Sequence, residues 1–174
     1  MNRVLIKNIP DRECLNEAAD RYPAMDPDIT EVYLHFLKVG SDVLSEIYDY
    51  LGQFGISGGR MSILMQLMKE DEGAIAPSEL ADRCGVTPAT ISGLVDGLIR
   101  TDHVERIVDP NDRRVQPVRL TKTGRERMEA LLPGYIDLIN RLFKVLNAEE
   151  RASLLLILQK LQINLENKEN GNEA

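Results

Sequence analysis

Apolar residues recur at three- and four-residue intervals from Asp28 to Phe54, and this spacing predicts one long amphipathic helix. A second helix is predicted to begin near Ser57, whose hydroxyl suits an N-cap, and to end before Gly73. Residues 1–27 are interrupted by three prolines, so we expect an arm with no more than a short helix there. The segment from Asp28 to about Gly73 is therefore expected to be mostly helical.

A helix-turn-helix pattern follows. A short helix is predicted to begin at Pro77, a favourable first helical residue, and to end at Gly85, which suits a left-handed C-cap. Thr87 is a good N-cap for a second helix that begins with Pro88. The apolar residues of this second helix form one stripe: Ile91, Leu94, Val95, Leu98 and Ile99. Two short helices joined by a tight turn are typical of DNA-reading modules.

A β-hairpin is predicted directly after the second of these helices. Two β-prone runs, residues 104–108 and 115–120, flank a charged turn in which Pro110 and Asn111 favour chain reversal. A hairpin beside a helix-turn-helix indicates a winged module, whose helices enter the major groove while the hairpin tip reaches phosphate or a minor groove. The predicted fold class is mainly α with a small β-hairpin wing.

The last third of the chain again shows helical periodicity. Thr121 is predicted to cap a long amphipathic helix, which Pro133 and Gly134 should kink. Asn147 and Glu150 form a capping-box pattern that opens a final helix. Its run Leu154–Leu158 is apolar nearly all round, so we expect a partner subunit to cover it.

These elements predict four regions. They are an N-terminal arm (1–27), a helical dimerisation region (28–56 and 121–165), a winged helix-turn-helix DNA-binding domain (57–120) and a disordered polar tail (166–174).

The charge of the chain is unevenly distributed. The net charge is −7, yet the stretch from Arg100 to Arg127 holds eight basic residues against five acidic ones. A chain polarised in this way can present one basic face to DNA while its acidic remainder discourages non-specific adhesion. The acidic overall balance therefore does not exclude a nucleic-acid partner.

Other classes of protein are not favoured. No apolar run approaches the roughly 18 residues of a membrane span, and Met1–Pro10 lacks the apolar core of a signal peptide, so a cytoplasmic protein without a membrane partner is expected. The sequence has no glycine-rich phosphate loop, no nucleophile–base motif and no clustered ligand set. An enzyme, a cofactor and a metal site are therefore not predicted.

From about Asp28 to Leu165 the chain resembles the MarR family of winged helix-turn-helix regulators. The resemblance is carried by the helix-turn-helix, by the wing and by the junction that follows the wing. The matching residues are Leu80-Ala81, Val86, Thr90-Ile91-Ser92, Leu98-Ile99, Val104-Glu105-Arg106, Asp109 to Arg114, and Val118 to Gly124.

This resemblance implies a homodimer whose first and last helices interlock and whose reading helices enter successive major grooves of double-stranded DNA. It assigns Arg114 of the wing to the minor groove and Asp112 to orienting that arginine. Asp112 fits this role because a carboxylate two residues away can hold a guanidinium in a fixed geometry. The predicted DNA-binding residues are Thr87, Pro88, Ala89, Thr90, Ser92, Gly93, Asp96, Arg106, Asp112, Arg113 and Arg114.

The resemblance also implies release of DNA on binding a small aromatic or anionic effector. The candidate pocket residues are Tyr33, His35, Phe36 and Met65, which have an alternative interpretation as ordinary packing residues. Cys14 is the candidate for thiol sensing, but only Arg12 lies nearby in sequence to lower its pKa. Two alternatives stay open, an effector-independent architectural DNA binder and a winged-helix protein-interaction module. Arg113 and Arg114 argue against the second.

Overall fold

The computed structural model describes residues 7–70, 73–107 and 116–171, with side chains described up to residue 167. The elements, in chain order, are α1 Arg12–Arg21, α2 Pro27–Gln53, α3 Gly58–Met68, α4 Pro77–Cys84, α5 Pro88–Ile99, β1 Val104–Arg106, β2 Val118–Leu120, α6 Lys122–Phe143 and α7 Ala148–Gly171. Strands β1 and β2 pair antiparallel, with Val104 opposite Leu120 and Arg106 opposite Val118. The predicted fold class, mainly α with a β-hairpin, is confirmed.

The described residues fall into two compact units, divided within α6 between Tyr135 and Ile136. The core of the first unit is built from α3, α4, α5, the hairpin and the start of α6. Its fully buried side chains include Leu51, Ile63, Leu64, Leu67, Ile75, Leu80, Ile91, Val95, Leu98, Val104, Val118, Met128 and Leu131. A backbone bridge between Ile75 and Val118 fastens the hairpin to the chain ahead of α4. The wing therefore rests on the same core as the helix-turn-helix.

Local capping chemistry sets several of the helix ends that the sequence predicted. The side chains of Ser57 and Thr87 accept hydrogen bonds from the first turns of α3 and α5. Gly85 has φ +63°, a left-handed conformation in which a residue without a Cβ is favoured. Asn147 and Glu150 form a reciprocal capping box at the start of α7.

The described part of the N-terminal arm agrees with the short helix that the sequence allowed and adds contacts that the sequence did not predict. It contains helix α1, which α2 holds through ion pairs from Arg12 to Asp28 at 2.5 Å and to Glu31 at 2.8 Å. Leu15 of α1 is buried. This docking depends on contacts between residues far apart in sequence, which the helical periodicity of either segment does not reveal.

Helix α6 includes Pro133, where a kink is predicted, and helix α7 continues past Leu165, where the tail was predicted to begin. Helix α6 runs through Pro133, and Gly134 lets Tyr50 approach so closely that a Cβ there would lie 2.5 Å from the hydroxyl oxygen. That hydroxyl donates a hydrogen bond to the Leu131 carbonyl at 2.7 Å. Helix α7 extends to Gly171, because the segment after Leu165 contains no proline and no glycine before that residue. None of the described helices combines the length and the apolar composition that a membrane span requires.

Candidate nucleic-acid interface

Helix α5 separates a buried stripe from an exposed face of small residues. Ile91, Val95 and Leu98 are at most 1% exposed and fix the helix against the core. The residues predicted to contact DNA on this helix all lie on its exposed side: Thr87, Pro88, Ala89, Thr90, Ser92, Gly93 and Asp96. Short side chains on an exposed helix allow the backbone to approach a phosphate or a base edge closely.

The first turn of α5 is held by its own hydroxyl groups. Thr87 Oγ1 accepts a hydrogen bond from the Thr90 backbone N–H at 3.2 Å, and the two threonine hydroxyls lie 2.9 Å apart. The turn is therefore fixed before any partner arrives, and both hydroxyls stay at the surface. Thr87 combines a capping role with a place in the candidate interface.

An ion pair joins the wing to the reading helix. Arg106 Nη2 of β1 lies 2.9 Å from Asp96 Oδ1 of α5. Both residues were predicted to contact DNA separately, but the structure pairs them with each other. The pair is well suited to fix the angle between hairpin and helix, a role that the spacing of ten residues in sequence did not suggest.

A second charged pair lies along the hairpin. Arg119 Nε of β2 is 2.7 Å from Glu105 Oε1 of β1, directly opposite in register. This arginine is therefore locally neutralised. The predicted tip residues Asp112, Arg113 and Arg114 lie outside the described residues, so their roles stay predictions.

The base of the wing is anchored by one tightly packed junction. Asp102 adopts φ +54°, and its carbonyl accepts a hydrogen bond from the Thr121 hydroxyl at 2.6 Å. Its carboxylate accepts another from the Thr123 hydroxyl at 2.9 Å. A Cβ at Gly124 would lie 1.9 Å from the His103 carbonyl oxygen. The junction after the wing, from Leu120 to Gly124, is thus explained by a contact between the start of α6 and the entry to β1.

The candidate effector residues differ in their exposure to solvent. Tyr33, His35 and Phe36 are exposed on α2, whereas Met65 of α3 is partly buried against the core. An open cleft of about 420 Å³ instead lies beside the hairpin, with Leu67, Glu105, Arg119 and Lys122 among its lining. The effector pocket at these residues stays a prediction.

The two cysteines lie in different environments. Cys14 is exposed on α1. Cys84 at the end of α4 is partly buried, and this burial raises the pKa of its thiol. A raised pKa keeps Cys84 protonated near neutral pH, which disfavours reactivity.

The sequence interpretation missed Arg60. This residue follows the glycine pair at the start of α3, and its guanidinium packs against α5 at Gly97. A glycine within the last turn of a predicted helix was the available signal, because it lowers helix stability unless a close contact requires it.

Comparisons with known proteins agree with this geometry. The MarR-family signature matches residues 54–115. The transcriptional repressor YetL of Bacillus subtilis is 31% identical over 156 residues, which cover 90% of this chain and 93% of YetL. The repressor NicR of Pseudomonas putida is 34% identical over 91 residues, which cover 52% of this chain and 58% of NicR.

Solved structures show the same fold. The MarR-family regulator AbsC of Streptomyces coelicolor superposes with a TM-score of 0.74 at 21% identity, covering 82% of this chain and 97% of AbsC. A MarR variant of Escherichia coli, solved in complex with operator DNA, gives a TM-score of 0.66 at 26% identity, covering 77% of this chain and 95% of that one. With a relative matched along nearly its whole length and with the winged helix-turn-helix in place, the chain belongs to the MarR family and is a DNA-binding transcriptional regulator, not an enzyme.

Proposed function

We propose that this regulator is a repressor that binds a pseudo-palindromic operator as a homodimer and releases it when a small aromatic or anionic effector binds. The observation that carries the proposal is the exposed face of α5, where small residues lie over a fully buried apolar stripe. The names of YetL and NicR as repressors, and the operator-bound MarR variant, support this role.

Exposed apolar side chains support the homodimer. Ile29, Val32 and Phe36 of α2 are each more than half exposed, and so are Leu155, Leu156 and Ile157 of α7. Soluble proteins rarely leave apolar patches of this kind in water, so a second copy of the chain is the occupant we propose. We propose that α2 and α7 both contribute to the dimer interface.

Specific operator contact is proposed for α5 and for the wing tip. The exposed residues Thr90, Ser92 and Gly93 would approach the major groove, while Arg114 would enter the minor groove. Asp96 and Arg106 would hold the two contacting parts in register through their ion pair.

The test compares Ser92→Glu with Gln53→Glu by fluorescence anisotropy on a selected operator duplex. Both positions are exposed and both changes replace a neutral side chain by a carboxylate, but Gln53 lies at the end of α2. We expect Ser92→Glu to weaken binding at least tenfold by repulsion from phosphate, and Gln53→Glu to bind as the wild type does. Equal affinity of the two variants would contradict DNA reading by α5.

Effector response is tested on the wild-type protein with a panel of phenolic acids. A compound that raises the melting temperature and also lowers operator affinity supports the repressor with an effector. If no compound changes either quantity, effector release is rejected and the effector-independent DNA binder is favoured.

A further inference from the structure

The first turn of α3 packs against α5 through two reciprocal contacts. A Cβ at Gly59 would lie 3.1 Å from Leu94 Cδ1, so a glycine of α3 receives a leucine of α5. One helical turn further along α5, a Cβ at Gly97 would lie 2.5 Å from Arg60 Nη2, so a glycine of α5 receives an arginine of α3. Close packing at two points one turn apart fixes the position of α5 along α3.

The same turn of α3 packs against the end of α2. A Cβ at Gly58, the first residue of α3, would lie 2.6 Å from Tyr48 Cε1. The tyrosine ring therefore comes as close to the backbone as a glycine permits. Residues 58–60 thus contact α2 on one side and α5 on the other. The distance between these two helices depends on how little space residues 58–60 occupy.

The joint between α2 and α3, residues 54–57, is fixed at several of its residues. The backbone N–H groups of Phe54 and Ile56 both donate to the Leu51 carbonyl, at 3.0 and 3.1 Å. Gly55 has φ +68°, a left-handed conformation that favours glycine. Arg127 of α6 donates a hydrogen bond to the Phe54 carbonyl at 3.1 Å, and its Cζ lies 5.1 Å from the centre of the Phe54 ring. A joint held in this way transmits a displacement between α2 and α3 instead of absorbing it.

Helix α2 connects this joint with the proposed dimer face. It runs for 27 residues, a length of roughly 40 Å. The exposed apolar residues that we propose to meet a second copy lie in its first half, and Tyr48 lies near its other end. The position of α5 relative to the dimer face therefore depends on the contacts of residues 58–60.

Alanine at the three glycines would test these contacts without removing the core. Each contact is made with side-chain atoms of Tyr48, Leu94 or Arg60, which can move, and not with the backbone. The contact at Gly97 must open furthest, from 2.5 Å to an ordinary contact of 3.4 Å. We therefore expect the alanine variants to fold with helices displaced by up to ~1 Å.

We propose that Gly58, Gly59 and Gly97 are positioning residues that hold the reading helix α5 at a fixed distance from α2, and that this distance selects the spacing between operator half-sites. The inference rests on the proposed homodimer. A two-fold axis applies a displacement of α5 twice, so ~1 Å in each subunit changes the separation of the reading helices by up to ~2 Å. One base pair advances along DNA by ~3.4 Å, so this change is a large part of the difference between neighbouring spacings.

The experiment measures affinity against half-site spacing by fluorescence anisotropy. Three duplexes carry the selected operator with its own spacing, with one base pair removed, or with one base pair added between the half-sites. A fourth carries a single half-site. For the alanine variants at Gly58, Gly59 and Gly97 we expect the preference for the selected spacing to fall about threefold or more, within the range for residues that couple two sites. Affinity for the single half-site should equal that of the wild type.

A control and a rescue separate positioning from stability. Gly52→Ala adds a methyl group near the same joint, where a Cβ would meet nothing within 4 Å, and should keep the wild-type preference. Leu94→Val shortens the side chain that a Cβ at position 59 would meet. The double variant Gly59→Ala/Leu94→Val should therefore recover the wild-type preference, which a general loss of stability would not allow.

Melting temperature and sedimentation confirm that each variant is folded and has the wild-type mass. If Gly59→Ala does not fold, Gly58→Ala and Gly97→Ala decide the matter. Folded variants that keep the wild-type preference, or that lose affinity equally at every spacing, would overturn the inference and leave the proposed operator binding standing. A wild-type protein with equal affinity at every spacing would overturn the proposed dimeric operator, and the inference with it.

Discussion

Helices α5 and α7 differ in how far their apolar side chains are buried. In α5, the side chains of Ile91, Val95 and Leu98 are buried in the core of the first unit. In α7, Leu155, Leu156 and Ile157 are exposed by 56%, 67% and 57%. An amphipathic helix completes its burial within one chain, whereas a helix that is apolar all round needs a further surface. Helix α5 thus completes its burial within the chain, and we propose that a partner subunit covers α7.

The largest expected effect is loss of the dimer. Replacing both Leu155 and Leu158 by Glu should convert the protein to a monomer, because a dimer would lose four leucines worth roughly 1.5–3 kcal/mol each. Sedimentation equilibrium at micromolar concentration measures the mass. A double variant of unchanged mass, or a wild-type protein that sediments as a monomer, would contradict the need for a partner.

The next effect concerns folding of the first unit. Gly124→Ala should lower the free energy of unfolding by ~3 kcal/mol, since its Cβ would meet the backbone carbonyl of His103, which cannot rotate away. Gly93→Ala is the matched control, because its Cβ would meet nothing within 4 Å and it should stabilise helix α5 slightly. Urea unfolding compares the two variants. Equal stability would show that the wing junction is not tightly packed.

A smaller effect is expected at the wing tip. Arg114→Ala should weaken operator binding by ~1–3 kcal/mol and reduce the slope of log affinity against log salt by about one. Asp112→Ala should produce a weaker form of the same loss, because it removes only the orienting group. Affinity across a salt series measures both variants, with melting temperature as the control for folding. Full affinity in Arg114→Ala would leave the helix-turn-helix as the sole contact.

The smallest effect is expected for the ion pair between wing and reading helix. A double-mutant cycle with Asp96→Ala and Arg106→Ala should give a coupling free energy of ~0.2–1 kcal/mol in unfolding, as for other partly exposed pairs. The same cycle in operator affinity should give a larger coupling if the pair fixes the wing angle. A coupling of zero in both measurements would reject the positioning role.

Local chemistry made most of the fold predictable. The caps at Ser57, Thr87, Gly85 and Asn147 depend on residues within one turn, and each was predicted correctly. These contacts require no knowledge of the rest of the chain.

The missed features all depend on contacts between segments distant in sequence. The docking of α1 requires Arg12 to reach Glu31, and the contact of the Arg60 guanidinium with Gly97 requires α3 to pack against α5. The pairing of Asp96 with Arg106 became visible only when the hairpin was placed beside α5. Tertiary packing decides such contacts, and single-sequence periodicity does not report it.

The central claim is that a symmetric dimer reads DNA through α5 and the wing. The most direct test selects bound sites from a random duplex pool and footprints the protein on the most enriched site. We predict a pseudo-palindrome with half-sites about one helical turn (10 bp) apart, protected on one face of the duplex. Enrichment of a single asymmetric half-site, or no enrichment above the starting pool, would contradict the claim.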